Sequence, residues 1–266
     1  MKKLRLAHKI ITTLIKDQWY YRGRVIADMM LMFVRCGVLL VLYAYVFRLK
    51  NGVINDTTFG VVAWSIFFYF AFITLRLREI TRMIMQDVRS GTVETLFAKP
   101  VSYIFYRVMW QLGSGISSFV IVSVCGSALL IWWVGIPETM TIGIFLPTLF
   151  AVFCGAIILT LTLYAIVGFM AFWIEDVNPI FWLVDKIVMV LGGSYLPVAL
   201  FPPLLYKVAV WSPFGAASFI THTVNVSWQE KWPMLVGIQI MWIGIGLVVL
   251  YVINHYAHKR VSINGG

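Results

Sequence analysis

The chain is 266 residues long, 61% hydrophobic and only 12% charged, with a mean hydropathy of +0.89, which leaves too little polar surface to coat a water-soluble globule. A net charge of +10 would suit a nucleic-acid partner in a soluble protein. Here the cations flank apolar runs and form no single patch, so no nucleic acid is expected as a partner.

Residues 1–20 place Leu4, Ala7, Ile11, Leu14 and Ile15 on one helical face and Arg5, Lys9, Thr12 and Lys16 on the opposite one. Such a helix lies on a membrane surface in contact with lipid. Trp19, Tyr20 and Tyr21 follow at the depth of an interfacial aromatic belt. Residues 1–25 therefore read as an amphipathic interfacial helix ahead of a membrane domain over 26–266. A crossing helix needs about 20 mainly apolar residues, and six runs are candidates: 26–47, 59–75, 108–134, 142–173, 180–196 and 234–253. The expected fold is all-α, polytopic and six-spanning. The first run is too long for a signal peptide and follows a basic stretch without a small-residue cleavage site, so it is expected to stay as a span.

Inside that first run, Arg24 and Asp28 stand at the i,i+4 spacing of an ordinary helix-surface ion pair. Arg35 lies seven residues beyond Asp28, roughly 10 Å along the same side. Ionisable groups at membrane depth are costly and often functional. Arg35 is thus expected to face another helix or a hydrated groove and is a candidate pathway residue.

After the second run comes a polar island, residues 76–107. Ile80, Ile84 and Val88 continue the preceding helix at i,i+4 spacing beside Arg78, Arg82 and Arg89, and Gly91 interrupts it. Ser90 or Thr92 can cap a new short helix, Glu94 falls in its first turn where the helix dipole favours an acid, and Pro100 ends it. Connections within bundles usually run to about two to eight residues. An island this long is expected to be a structured grip for a soluble partner.

The fourth run exceeds a straight crossing, and Pro147 suggests that its span begins after the proline. Glu175, Asp176 and Pro179 form a tight turn. The fifth run contains Asp185 and Lys186, which point about 100° apart on a helix and do not face each other; their partners are not named by the sequence. It ends in Leu191-Gly192-Gly193-Ser194-Tyr195-Leu196-Pro197, and the apolar stretch beyond is broken by Pro202, Pro203 and Pro213. An uninterrupted helix is forbidden there. Broken helices dipping into the outer leaflet are expected over 197–220, since irregular backbone at membrane depth must be buried or line a cavity.

The Lys/Arg distribution sets the orientation. Fifteen flank one side (the N-terminal stretch, the island and the C-terminal tail) against Arg48, Lys50, Lys207 and Lys231 on the other. The positive-inside rule puts both termini and the island in the cytoplasm. Cys36, Cys125 and Cys154 fall inside apolar runs without metal-ligand spacing and read as core residues. The chain contains no Gly-Lys dipeptide and hence no phosphate loop. His8, His222, His255 and His258 match no His-Glu-x-x-His pattern. His255 and His258 read as interfacial anchors of the last span. No catalytic residue, cofactor or metal site is expected in this chain.

The island and the Gly/Pro-rich segment resemble the transmembrane subunits of type-2 ABC transporters. Members carry Gly-Thr-Leu-Glu-x-Leu…Pro after the second span; Gly91-Thr92-Val93-Glu94-Thr95-Leu96 and Pro100 match it here. Gly192-Gly193-Ser194-Tyr195-Leu196-Pro197, Phe201-Pro202 and Pro213-Phe214 are similar to the family's re-entrant element before the last span. Asp87-Val88-Arg89-Ser90-Gly91 and the stretch after Pro100 look closest to a bacterial branch. The resemblance implies a bacterial inner-membrane exporter permease, driven by two copies of a separate ATPase that binds ATP and Mg, and paired with an identical or related permease. It implies ATPase coupling through Asp87, Arg89, Ser90, Gly91, Thr92, Glu94 and Lys99, and a re-entrant gate at Gly192, Gly193, Pro197, Pro202 and Pro203. Arg35, Asp185 and Lys186 remain the pathway candidates. Val93 in place of leucine is a conservative departure, whereas Lys99 before the proline alters the docking surface.

The substrate class stays open among lipid-like molecules, amphipathic drugs and glycans. An ion-coupled secondary transporter is the alternative; it should show paired ionisable residues at mid-membrane and repeat halves. A membrane-embedded enzyme comes third, and the histidine pattern speaks against it.

Overall fold

The computed structural model describes the backbone of residues 2–20, 22–141 and 143–264, with side chains except at 2–4, 22, 24, 28 and 261–264. The expected Arg24–Asp28 pair, Leu4 on the amphipathic face and Tyr21 in the aromatic belt lie outside the described residues. The described chain is almost wholly helical. Its only strands are β1 (Val53–Ile54) and β2 (Thr57–Thr58), an antiparallel hairpin turned by Asn55 and Asp56, both at positive φ.

Helix α1 (Lys2–Tyr20) is followed by α2 (Arg22–Leu49). On α1, Lys9 and Lys16 are exposed, while Ile11 and Ile15 are half-buried and Leu14 is buried. Helix α2 buries Met32, Cys36, Leu40, Tyr43 and Phe47, a stripe at three- and four-residue spacing, and exposes Val34, Val38, Val41 and Tyr45. Apolar residues on both faces are what a helix between protein and lipid requires.

Helix α3 (Phe59–Ile73) is buried on nearly every side and is only 15 residues long, about 22 Å. The chain does not continue straight into the island, as the apolar spacing suggested. It breaks over 74–78, with Arg76 at φ +54°, before α4 (Glu79–Arg89) begins. The amide of Gln111 donates to the carbonyls of Leu75 (3.4 Å) and Arg76 (2.9 Å), the second of which also accepts from the Glu79 N–H at 2.9 Å, so a distant side chain helps to satisfy the break.

Helix α5 (Thr92–Phe97) leads to α6 (Tyr103–Trp133). The α6 face towards α3 carries Gly115, where an added Cβ would stand 2.6 Å from the Leu75 carbonyl carbon. Only glycine permits the two backbones to approach so closely. Leu14 of α1 packs on the same helix beside Gly113, and Gln18 donates to the Ser114 carbonyl.

Helix α7 (Phe145–Phe169) runs on through a 3-10 turn, Met170–Phe172, and is the most buried of the helices long enough to cross a membrane. It starts before Pro147, not after it, because a proline in the first turn sacrifices no intrahelical hydrogen bond. The chain then forms α8 (Asn178–Leu191), α9 (Pro203–Trp211), α10 (Pro213–Ala216) and α11 (Trp228–Asn264).

Among the described residues four helical segments can cross a membrane by length and composition: Val25–Leu49, Tyr103–Trp133, Phe145–Phe172 and Trp228–Arg260. The second and fifth apolar runs yield α3 and α8, of 15 and 14 residues. Each is shorter than the roughly 30 Å hydrocarbon layer.

Candidate functional site

Three features stand out: the short helix α5, the broken segment after α8, and a large cavity. Helix α5 is attached by one face. Val93 and Leu96 are buried, and Phe97 stacks on His258 at 3.7 Å and on Phe172 at 6.1 Å, with Tyr103 edge-on at 5.1 Å. The opposite face exposes Thr92, Glu94, Thr95 and Lys99. His258 thus packs on α5.

The helix start differs from the sequence expectation. Its N-cap is Gly91 at φ +71°, and neither Ser90 nor Thr92 caps it; their hydroxyls bond each other at 2.8 Å. The reversal from α4 needs a left-handed residue, which glycine adopts without a Cβ clash. Asp87, expected on the same polar surface as Glu94, instead points inward at 6% exposure. Its carboxylate accepts from the Tyr103 hydroxyl at 2.6 Å and pairs with Arg107. Arg89 reaches across to Asp176 at 2.9 Å and to the Glu175 carbonyl at 3.1 Å, tying α4 to the turn before α8. Asp176 also accepts from the backbone N–H of Asn178, and this bond first of all holds its carboxyl below the usual range.

In the broken segment, Gly192 caps α8 and Gly193 turns the chain at φ +82°. A Cβ on Gly192 would meet the Ser218 hydroxyl at 2.5 Å, and one on Gly193 would meet Val198 at 2.8 Å. Pro197 precedes a single 3-10 turn, and Pro202 and Pro203 start α9, where a missing N–H is no loss. Residues 215–225 are buried throughout. Side chains of neighbouring helices satisfy two of their carbonyls, Ser65 donating to Thr221 at 3.0 Å and Gln239 to Ala216 at 3.0 Å, and Tyr43 donates to the Tyr195 carbonyl earlier in the segment at 2.6 Å. Irregular backbone can persist in an apolar setting only with such substitutes.

A cavity of about 1660 Å³ opens between α1, α2, α4, α6 and α8. Arg35 and Lys186 both line it, so two of the three pathway candidates share one space. Asp185 does not line it. It is buried at 4% exposure and holds Arg78, which does line the cavity, at 3.1 Å, while the Tyr164 hydroxyl donates to it at 2.9 Å. Asp185 therefore has the partner that the sequence could not name. Its partner lies 107 residues away, and the only hint was that an acid in an apolar helix requires a cation. Tyr103, Arg107, Arg78 and Tyr164 were missed because a span's own pattern does not say which neighbour it meets. Among the described residues no group of three or more acid, His or Cys side chains could hold a metal.

A search of curated proteins finds no match. The family model described as "ABC-2 family transporter protein" matches residues 33–264, which takes in α5, the broken segment and the cavity wall from Arg35 to Tyr195, but not the part lined by α1 and the start of α2. The chain is accordingly a multi-pass membrane protein and belongs to the ABC-2 transporter family, whose permeases work with an ABC ATPase subunit.

Proposed function

We propose that this chain is the permease subunit of an ATP-driven exporter in a bacterial inner membrane, and that α5 is its coupling helix. The observation that carries the reading is the two-sided character of α5. Its inner face is sewn to α4, α6 and α11, while Thr92, Glu94 and Lys99 remain exposed on the outer one. Asp87 acts as a positioning residue through Tyr103 and Arg107 and does not touch the ATPase.

A push on α5 passes into α6 through that clamp and towards α8 through Arg89 and Asp176. Arg78 and Asp185 then carry it to the cavity wall. In this reading α3 and α8 complete their crossings with the turns beside them, giving six crossings with both termini in the cytoplasm. The helix α1 lies along the interface, and residues 197–220 form a re-entrant gate opening at Gly192, Gly193 and Pro197. Two ATPase copies bind ATP and Mg, and a second permease, identical or related, closes the pathway. The cargo is amphipathic, lipid-like or a glycan.

The test is co-expression with the ABC ATPase encoded nearest to it and purification through a tag on the permease. Co-elution, and a cross-link from cysteine at Glu94 to the ATPase that changes with nucleotide, is expected. Ion-driven flux by the purified chain with no ATPase present would overturn the proposal.

A further inference from the structure

The cavity lining is chemically lopsided. Five cations face it, Arg35, Arg76, Arg78, Arg82 and Lys186, against the acids Asp17 and Glu79. Arg78 is engaged with Asp185 at 3.1 Å and Arg82 with Glu79 at 3.0 Å, and Arg76 is not free either. Arg35 and Lys186 have no ion pair among the described residues; the Lys186 ammonium stands only over the Trp182 ring at 5.4 Å. Both sit deep. Arg35 is about 15 Å along the helix from Val25, where the apolar segment begins, and Lys186 is about 12 Å from the start of α8.

Cations at such depth are retained when they face a counter-ion or a hydrated path. The walls around them are not those of a water channel. Met29, Met32 and Leu39 of α2, with Phe70, Trp110 and Met189, give the same space an apolar lining. A volume of about 1660 Å³ exceeds the range of about 300 to 1000 Å³ usual for small-molecule sites. It has room for a head and part of a chain.

We infer that this cavity binds the anionic head of an amphiphile, with Arg35 and Lys186 as the head-binding cations and the α2 wall receiving its chain. This rests on the permease reading and names the class of its cargo. The excess of cations over acids in the lining disfavours cationic drugs, and the apolar wall disfavours a free sugar. Arg35 would supply planar, forked hydrogen bonds to a phosphate ester or carboxylate, and Lys186 a point charge.

The experiment uses the full chain in phosphatidylcholine nanodiscs containing equal mole fractions of brominated-chain phosphatidic acid or brominated-chain phosphatidylcholine, and reads tryptophan quenching. Trp110 and Trp182 line the cavity and report on it. Phosphatidic acid should quench more, and its apparent affinity should fall about fivefold for each of Arg35→Gln and Lys186→Gln. Arg35→Lys keeps the charge but not the fork and should retain more of the effect than Arg35→Gln, which separates charge from folding. Lys9→Gln with Lys16→Gln, on the exposed face of α1, should leave it unchanged. Equal quenching by the two lipids, or excess quenching lost only with the α1 lysines, would overturn the inference. Relief by millimolar glycerol phosphate would also overturn it, assigning the site to a soluble phosphate ester. If the cavity shows no preference while the chain still captures its ATPase, only this inference fails. If the preference holds and no ATPase ever binds, the permease reading fails instead.

Discussion

The Tyr103 hydroxyl donates a 2.6 Å hydrogen bond to the Asp87 carboxylate, joining the last turn of α4 to the first turn of α6 around the loop that carries α5. Arg107 completes the arrangement from the next turn of α6. All three side chains are largely removed from solvent, so the contact is rigid and its loss is expensive.

Replacing Arg107 with Gln leaves a buried carboxylate without its counter-charge, which costs about 3 to 5 kcal/mol. Tyr103→Phe removes one hydrogen bond to a charged acceptor and costs about 1.5 to 3 kcal/mol. Thermal unfolding of the purified chain in detergent should rank them in that order. Equal loss in both variants would mean that the ion pair adds nothing to the hydrogen bond.

Glu94→Lys should behave in the opposite way. Glu94 is exposed, so its effect on stability should stay within about 0.5 kcal/mol. ATPase co-elution and transport should fall sharply. A variant that folds, binds the ATPase and transports normally would remove Glu94 from the docking face.

The corner between α4 and α8 should respond to acid. Asp176 has its carboxyl held below the ordinary value of 3.8 in the folded chain, so its contribution is present above that value and is lost as pH falls through the lower folded one. The Arg89 contact is expected to be indifferent to pH between about 5 and 8. Hydrogen exchange at the Asn178 amide, followed downwards in pH, should show protection disappearing only in strong acid. Asp176→Asn should abolish that dependence.

Gly193→Ala forces a side chain into a left-handed conformation at φ +82° and against Val198, a cost of about 1 to 3 kcal/mol. Gly237→Ala makes a control, because a Cβ there meets nothing within 4 Å and the residue lies inside α11. Unfolding midpoints should fall in the first and hold or rise slightly in the second. If transport is measured alongside, Gly193→Ala should reduce it more than its loss of folded protein explains.

Much of the fold was legible because its signals are local. Ile80 and Ile84 at i,i+4 marked the buried face of α4, and the three prolines after Pro197 marked a segment that no single helix could occupy. Where local rules misled, a distant residue had intervened. Gln111 captures the carbonyls that end the second run early, and the chain reversal at Gly91 takes over the cap expected of Ser90 or Thr92.

The amino-acid sequence alone determined the solvent, the helical class, the polar island and the position of the broken segment, since composition and periodicity are properties of neighbouring residues. Only the tertiary structure decided that Asp87 faces inward while Glu94 faces outward, that Asp185 carries Arg78, and that Arg35 shares a cavity with Lys186. Those outcomes depend on which faces of separate helices meet. That choice is made by packing, by small residues such as Gly115 that let backbones touch, and by the requirement that each buried charge find a partner.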